Sequence, residues 1–145
     1  MTPRRLFLAG AWAILLCGIA HLIGYVSGRN AKPENDTEKQ LLELMNSYHL
    51  PGVGRTTQEL MNGFNLTFSI LPIALGSICL LVVRSSDVQL RRKVAIAAAI
   101  AMAAESAVSI VYWFAIPTTF LVLSAVAFAV SAWGTHTDAS VSGAG

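Results

Sequence analysis

The stretch AMAAESAVS, residues 101–109, sets one carboxylate, Glu105, among alanines. The run around it, VAIAAAIAMAAESAVSIVYWFAI, is long enough to cross a bilayer. An acid there is costly unless it is protonated, paired or facing water. A second proton-exchanging group, His21, lies in another apolar run. An acid and an imidazole are the minimal pair for general acid–base work, so Glu105 and His21 are the candidate catalytic residues. Amides and hydroxyls accompany them at helical spacing, Asn62, Asn65 and Ser69 on one segment and Ser109 and Tyr112 beside Glu105. These five are the candidate substrate-binding groups. A structural role stands beside each functional one. A neutral Glu105 donating a single hydrogen bond to Asn65 or His21 would brace three helices, and short polar side chains commonly hold membrane helices together.

Other chemistries find little support. His21, His49 and His136 are the only histidines, and neither an H-E-x-x-H motif nor a carboxylate pair accompanies them, so no metal and no cofactor is expected. The chain has no phosphate-binding loop, dinucleotide fingerprint or nucleophile elbow. Cys17 and Cys79 lack a C-x-x-C partner and read as structural thiols. Asn35 and Asn65 open glycosylation sequons, the second at membrane depth. No basic and aromatic surface of the kind that binds nucleic acid is present.

The elements that must position these residues follow from composition and charge. The 145 residues are 54% hydrophobic and 12% charged, with a mean hydropathy of +0.60. Soluble domains carry about 25% charged residues, so the chain reads as one integral membrane domain. Spans are expected over about 6–28, 60–83, 94–116 and 118–134, with a polar tail at 135–145. The first run follows PRR and has a cleaved signal peptide as its rival reading. Its length, near that of a full span, and the lack of an A-x-A site favour an uncleaved helix. In the loop after it, Thr37 with Gln40 fits a capping box. Leu41, Leu44, Met45 and Tyr48 then recur at helical spacing. A short amphipathic helix is expected there, lying on the membrane or over the bundle mouth. LPGVG stops it, Thr56 with Glu59 caps the next helix, and IPTT makes the last turn.

Arg4 and Arg5 precede span one, and Arg84, Arg91, Arg92 and Lys93 lie between spans two and three. Two spans separate the groups, so both fall on one side. Positive charge marks that side as cytoplasmic, with both termini inside. At about 1.5 Å per residue, Glu105 lies about 18 Å below the outer turn and His21 about 10 Å below the outer end of its helix. Three stripes of small and polar residues would face one another. They are Gly10, Cys17, His21, Gly24 and Gly28; Asn62, Asn65, Ser69, Pro72 and Gly76; and Ala98, Ala101, Met102, Glu105, Ser109 and Tyr112. The Gly24-x-x-x-Gly28 pair is by itself a weak packing signal.

The order of AGAWAILLCGIAHLIGY, LLELMNSYHLPGVGRTTQELMNGFNLTFS and a basic loop between hydrophobic halves resembles a family of short uncharacterised bacterial four-span membrane proteins. Gly18, His21, Gly63 and Asn65 carry the resemblance, and a looser likeness of architecture links it to DoxX-type proteins. The resemblance implies a four-helix fold in the inner (plasma) membrane and no particular reaction.

The sequence therefore predicts an all-α four-helix transmembrane bundle with a short helix in its outer loop. The leading functional reading is an accessory or interaction protein. One alternative is a small membrane enzyme or binder of a lipid-like substrate using Glu105 and His21. Another is a proton-coupled transporter acting as a dimer. The expected partners are the lipid bilayer and a membrane protein or second copy of the chain. A polar network without a cavity would favour the first reading, and a cavity reaching Glu105 from the outer side the second.

Overall fold

The computed structural model describes residues 1–29, 31–112 and 115–142, with side chains through Gly134. Five helices follow one another: α1 Pro3–Arg29, α2 Asp36–Ser47, α3 Thr57–Val82, α4 Val88–Tyr112 and α5 Ala115–Ser142. The helices α1, α3, α4 and the Ala115–Gly134 part of α5 are each long and apolar enough to cross a membrane. The protein is an all-α membrane bundle of four spans, with α2 in the loop between the first two.

The ends of the helices follow local chemistry. Thr56 Oγ1 accepts from the Glu59 amide at 3.1 Å, and Glu59 Oε2 accepts from the Thr56 amide at 3.0 Å, the reciprocal box expected there. The cap of α2 differs from the expected Thr37 and Gln40. Asn35 is the N-cap, its Oδ1 accepting from the Glu38 amide at 2.9 Å, and Glu38 reaches back to the Glu34 amide. Asparagine is the stronger cap, and it moves the start upstream. In the LPGVG turn, Gly52 and Gly54 take φ of 78° and 65°, a region that side chains rarely enter.

Two boundaries are corrected. IPTT is not a turn between helices: α4 ends at Tyr112 and α5 begins at Ala115. Pro117 therefore sits in the first turn of α5, where a missing amide N–H breaks no helical bond. The polar tail expected after Gly134 is helical, continuing α5 to Ser142. No glycine or proline falls between Gly134 and Gly143 to end it. Residues 143–145 of that tail lie outside the described residues.

The spans pack in the lateral order α3–α1–α5–α4. Glycines set the α1–α3 contact. A Cβ on Gly18 would lie 2.8 Å from the Ser69 carbonyl oxygen, and one on Gly76 would lie 2.9 Å from the Leu15 amide nitrogen. Backbones approach this closely only where a side chain is absent. Gly10 likewise leaves room for Phe128 of α5, whose ring meets Phe7 edge-on at 5.1 Å and 81°. Ser131 Oγ donates to the Pro3 carbonyl at 2.8 Å and ties the start of α1 to α5. Phe7, Ala11, Ile14, Cys79, Val83, Ala95, Ala98, Met102 and Phe128 form one core, concentrated toward the end where the basic residues gather.

At that end the five residues after Val82 hold α3 and α4 together, yet the two helices otherwise touch sparingly. The bundle is thus zipped at its basic end and parted at the far end.

Candidate functional site

The parting leaves two cavities that share a wall. The larger, about 660 Å³, opens at the far end between α1, α3 and α5. Its polar lining is His21, Tyr25, Arg29, Gln58, Asn62 and Asn65. The smaller, about 340 Å³, is a cleft between α3 and α4, with Phe68 and Pro72 on one side and Ala104, Glu105 and Val108 on the other. Cys17, His21 and Pro117 line both. His21 therefore stands at the junction of a polar chamber and an apolar cleft.

The sequence explains these walls. Gly24 and Gly28 do not make a helix crossing, because a Cβ on either would meet nothing within 4 Å. Their missing side chains are part of the volume of the larger cavity. Pro72 supplies no amide to the α3 ladder and lies where that helix faces the cleft. Pro117 is buried between the two volumes.

Most polar groups in the spans are satisfied within their own helix. Asn65 Nδ2 donates to the Met61 carbonyl at 2.9 Å, and Ser69 Oγ donates to the Asn65 carbonyl at 2.9 Å. Thr67 and Ser77 use the same i−4 geometry. Gln58 Nε2 donates to Asn62 Oδ1 at 3.3 Å, which leaves the Asn62 amide hydrogens for the cavity. Ser109 shares a 2.6 Å hydrogen bond with Thr118 across the α4–α5 contact.

Glu105 is different. Among the described residues its carboxyl forms no hydrogen bond and no ion pair. It lies just off the buried stripe of α4, which is Ala95, Ala98, Met102, Ser106 and Ser109. That stripe packs on α5, so Glu105 is turned toward the cleft and faces α1 and α3 across it. The expected direct bond to Asn65 is not made: Asn65 lines the larger cavity and Glu105 the cleft. The expected meeting of Glu105 with His21 takes the form of a shared cavity wall.

The other candidates divide. Asn62 and Asn65 line the larger cavity and Ser109 the cleft. Ser69 is fully buried at the α1–α3 contact and lines neither. Tyr112 also lines neither and is 79% exposed. Tyr25, Arg29, Gln58 and Phe120 were missed. A signal for three of them was present: Tyr25 and Arg29 continue the His21 face by successive steps of four, and Gln58 precedes Asn62 by four. Among the described residues, no three His, Cys, Asp or Glu side chains gather in a group that could hold a metal ion.

In chemical terms the far half offers hydrogen-bond donors and one cation in the larger chamber. Beyond the His21 junction it offers apolar walls and a single carboxyl. Comparison with family models, with curated proteins and with solved structures finds no match to this chain.

Proposed function

We propose that this membrane protein binds a lipid-like amphiphile in the two joined cavities, with its polar head in the chamber of Arg29, Gln58 and Asn62 and its tail in the α3–α4 cleft. The observation that carries this reading is Glu105 lining an accessible cleft without a hydrogen-bond partner among the described residues. A brace would have its carboxyl engaged by a neighbouring helix. Glu105 and His21 are then the groups that meet the ligand, His21 at the junction of chamber and cleft and Glu105 on the wall of the cleft. The bundle sits in a bacterial inner membrane with its basic end cytoplasmic, by the positive-inside rule, and its cavities open to the outer side.

The test uses the full chain in mild detergent with a fluorescent single-chain lysophospholipid as probe. Gly24→Leu fills the larger cavity from a position with no neighbour within 4 Å. Saturable binding to wild type and its loss in Gly24→Leu, with melting unchanged, is the expected result. Equal binding by both proteins refutes the reading.

The open α3–α4 side favours a second reading, an accessory protein whose cleft is covered by a partner helix or a second copy. Disulfide crosslinking in membranes of a Val108→Cys variant carrying Cys17→Ala and Cys79→Ala distinguishes it, since an interchain product at Val108 means a second copy covers the cleft.

A further inference from the structure

A separate cavity lies at the opposite, basic end. It is a groove of about 610 Å³ on the outer surface of the α4–α5 pair. Ile96, Ala99 and Ile100 form one wall, Ala129, Ala132 and Trp133 the other, and among the described residues Arg92 is the only charged one lining it. The Arg92 Nε is buried and has no hydrogen-bond partner among the described residues. The residue as a whole is half-exposed, but a buried guanidinium N–H left unmatched is costly in apolar surroundings. Its neighbours do not relieve it. Arg91 Nη1 donates to the Ser85 carbonyl at 2.6 Å, and Asp87 Oδ1 is engaged by the Leu90 amide at 2.9 Å. Among the described residues no acid lines the groove.

Depth adds a second constraint. Arg92 is one turn into α4, about 6 Å along its axis, and Trp133 is one residue from the end of the apolar part of α5. Both lie at the level where headgroups meet hydrocarbon, and Trp133 is 79% exposed there, as interfacial tryptophans are. A cation at headgroup level above an alanine- and isoleucine-lined groove matches one kind of molecule, with an anionic phosphate at one end and an acyl chain at the other.

We infer that this groove is a binding site for an anionic phospholipid of the leaflet at the basic end. The phosphodiester accepts hydrogen bonds from the Arg92 guanidinium, in the paired geometry that suits arginine to phosphate. The acyl chain lies along Ile96, Ile100 and Ala129. The site shares no residue with the far-end cavities, so it stands whether or not they bind an amphiphile.

Native mass spectrometry of the full chain, released from detergent with equimolar dioleoyl phosphatidylglycerol and dioleoyl phosphatidylcholine, tests it. Wild type should retain phosphatidylglycerol about fivefold over phosphatidylcholine, the preference expected of one interfacial cation. Arg92→Gln should bring the ratio to about one. Lys93 is exposed and lies outside the groove, so Lys93→Gln should leave the ratio unchanged. Ala129→Phe fills the groove from an exposed position and should lower phosphatidylglycerol retention without lowering the melting temperature. A wild-type ratio near one overturns the site, as does full retention in Arg92→Gln or Ala129→Phe. An equal loss in Lys93→Gln also overturns it, because the attraction would then be diffuse surface charge.

Discussion

Replacing Glu105 by leucine should stabilise the bundle while abolishing binding in the cleft. Among the described residues the carboxyl has no hydrogen-bond partner to lose, so the usual penalty for deleting a polar contact does not arise. What is removed is the cost of holding an ionisable group near mid-span. Insertion scales put a charged residue such as aspartate at a helix centre about 2.5–3.5 kcal/mol uphill and leucine about 0.3–0.6 kcal/mol downhill. Glu105 is exposed in an open cleft rather than sealed in a core, so only part of this difference is recovered, and a gain of about 1–2 kcal/mol is expected. Glu105→Gln keeps the shape and polarity and should change stability by less than about 0.5 kcal/mol. Reversible unfolding in mixed micelles measures both, and retention of the lysophospholipid probe is read on the same samples. The expected pattern is a more stable Glu105→Leu protein without probe and a Glu105→Gln protein of wild-type stability with weakened retention. A Glu105→Leu protein destabilised by about 1 kcal/mol or more would mean that Glu105 braces the helices, and the reasoning from its missing partner would be wrong.

Two glycines of α1 should respond to alanine with opposite signs in the same unfolding assay. Gly18→Ala drives a Cβ against the α3 backbone and should cost about 1–3 kcal/mol, reduced by about 1 kcal/mol of helix propensity. Gly24→Ala meets nothing and should gain about 0.5–1 kcal/mol. At the start of α2, Asn35→Ala should remove about 1 kcal/mol of local stability and speed amide exchange over the first turn, whereas Thr37→Ala should leave exchange unchanged. Reporter fusions after residues 40, 88 and 145 should read outside, inside and inside, and an outside signal at 88 or 145 would reverse the proposed orientation.

The number and type of the spans were legible because each is an uninterrupted apolar run, and in a membrane such a run has little choice but helix. Capping signals were legible where one side chain dominates, as at Thr56. They misled at α2, where Asn35 and Thr37 compete within three residues and the stronger acceptor wins. IPTT misled because a proline that ends one helix also suits the first turn of the next. The face of α3 was read correctly: Ser69 and Gly76 are buried, and Asn62, Asn65 and Pro72 flank them. On α4, Ala98, Met102 and Ser109 are buried as read, but Ala101, Glu105 and Tyr112 are exposed, and Ser106 rather than its neighbour Glu105 lies on the buried face. The amphipathic face of α2 was placed against membrane or bundle. In the structure Leu41, Leu44 and Tyr48 are exposed and Met45 is half-buried, so the bundle takes little of that face.

That Glu105 lies off the buried face of α4 has a physical cause that bears on function. Small residues on α1, at Gly10 and Gly18, draw both α5 and α3 onto α1. A central helix that holds two neighbours so closely leaves α4 to pack on α5 alone, with α3 on the opposite flank. The five-residue connection after Val82 then pulls α3 and α4 together at one end only. Two helices pinned at one end and held apart elsewhere must leave a wedge between them. Glu105 lies in that wedge because it stands one position off the face that α4 gives to α5. The same tight α1–α3 contact ends at Gly18, and beyond it Gly24 and Gly28 offer no side chain to fill the space between the helices. Close packing in one half and open volume in the other thus arise from glycines of a single helix, according to whether a neighbouring backbone lies within reach. Widening the α1–α3 contact by Gly18→Ala should therefore reshape the cavities as well as lower stability, and probe affinity should fall in a variant whose substituted residue lines neither cavity.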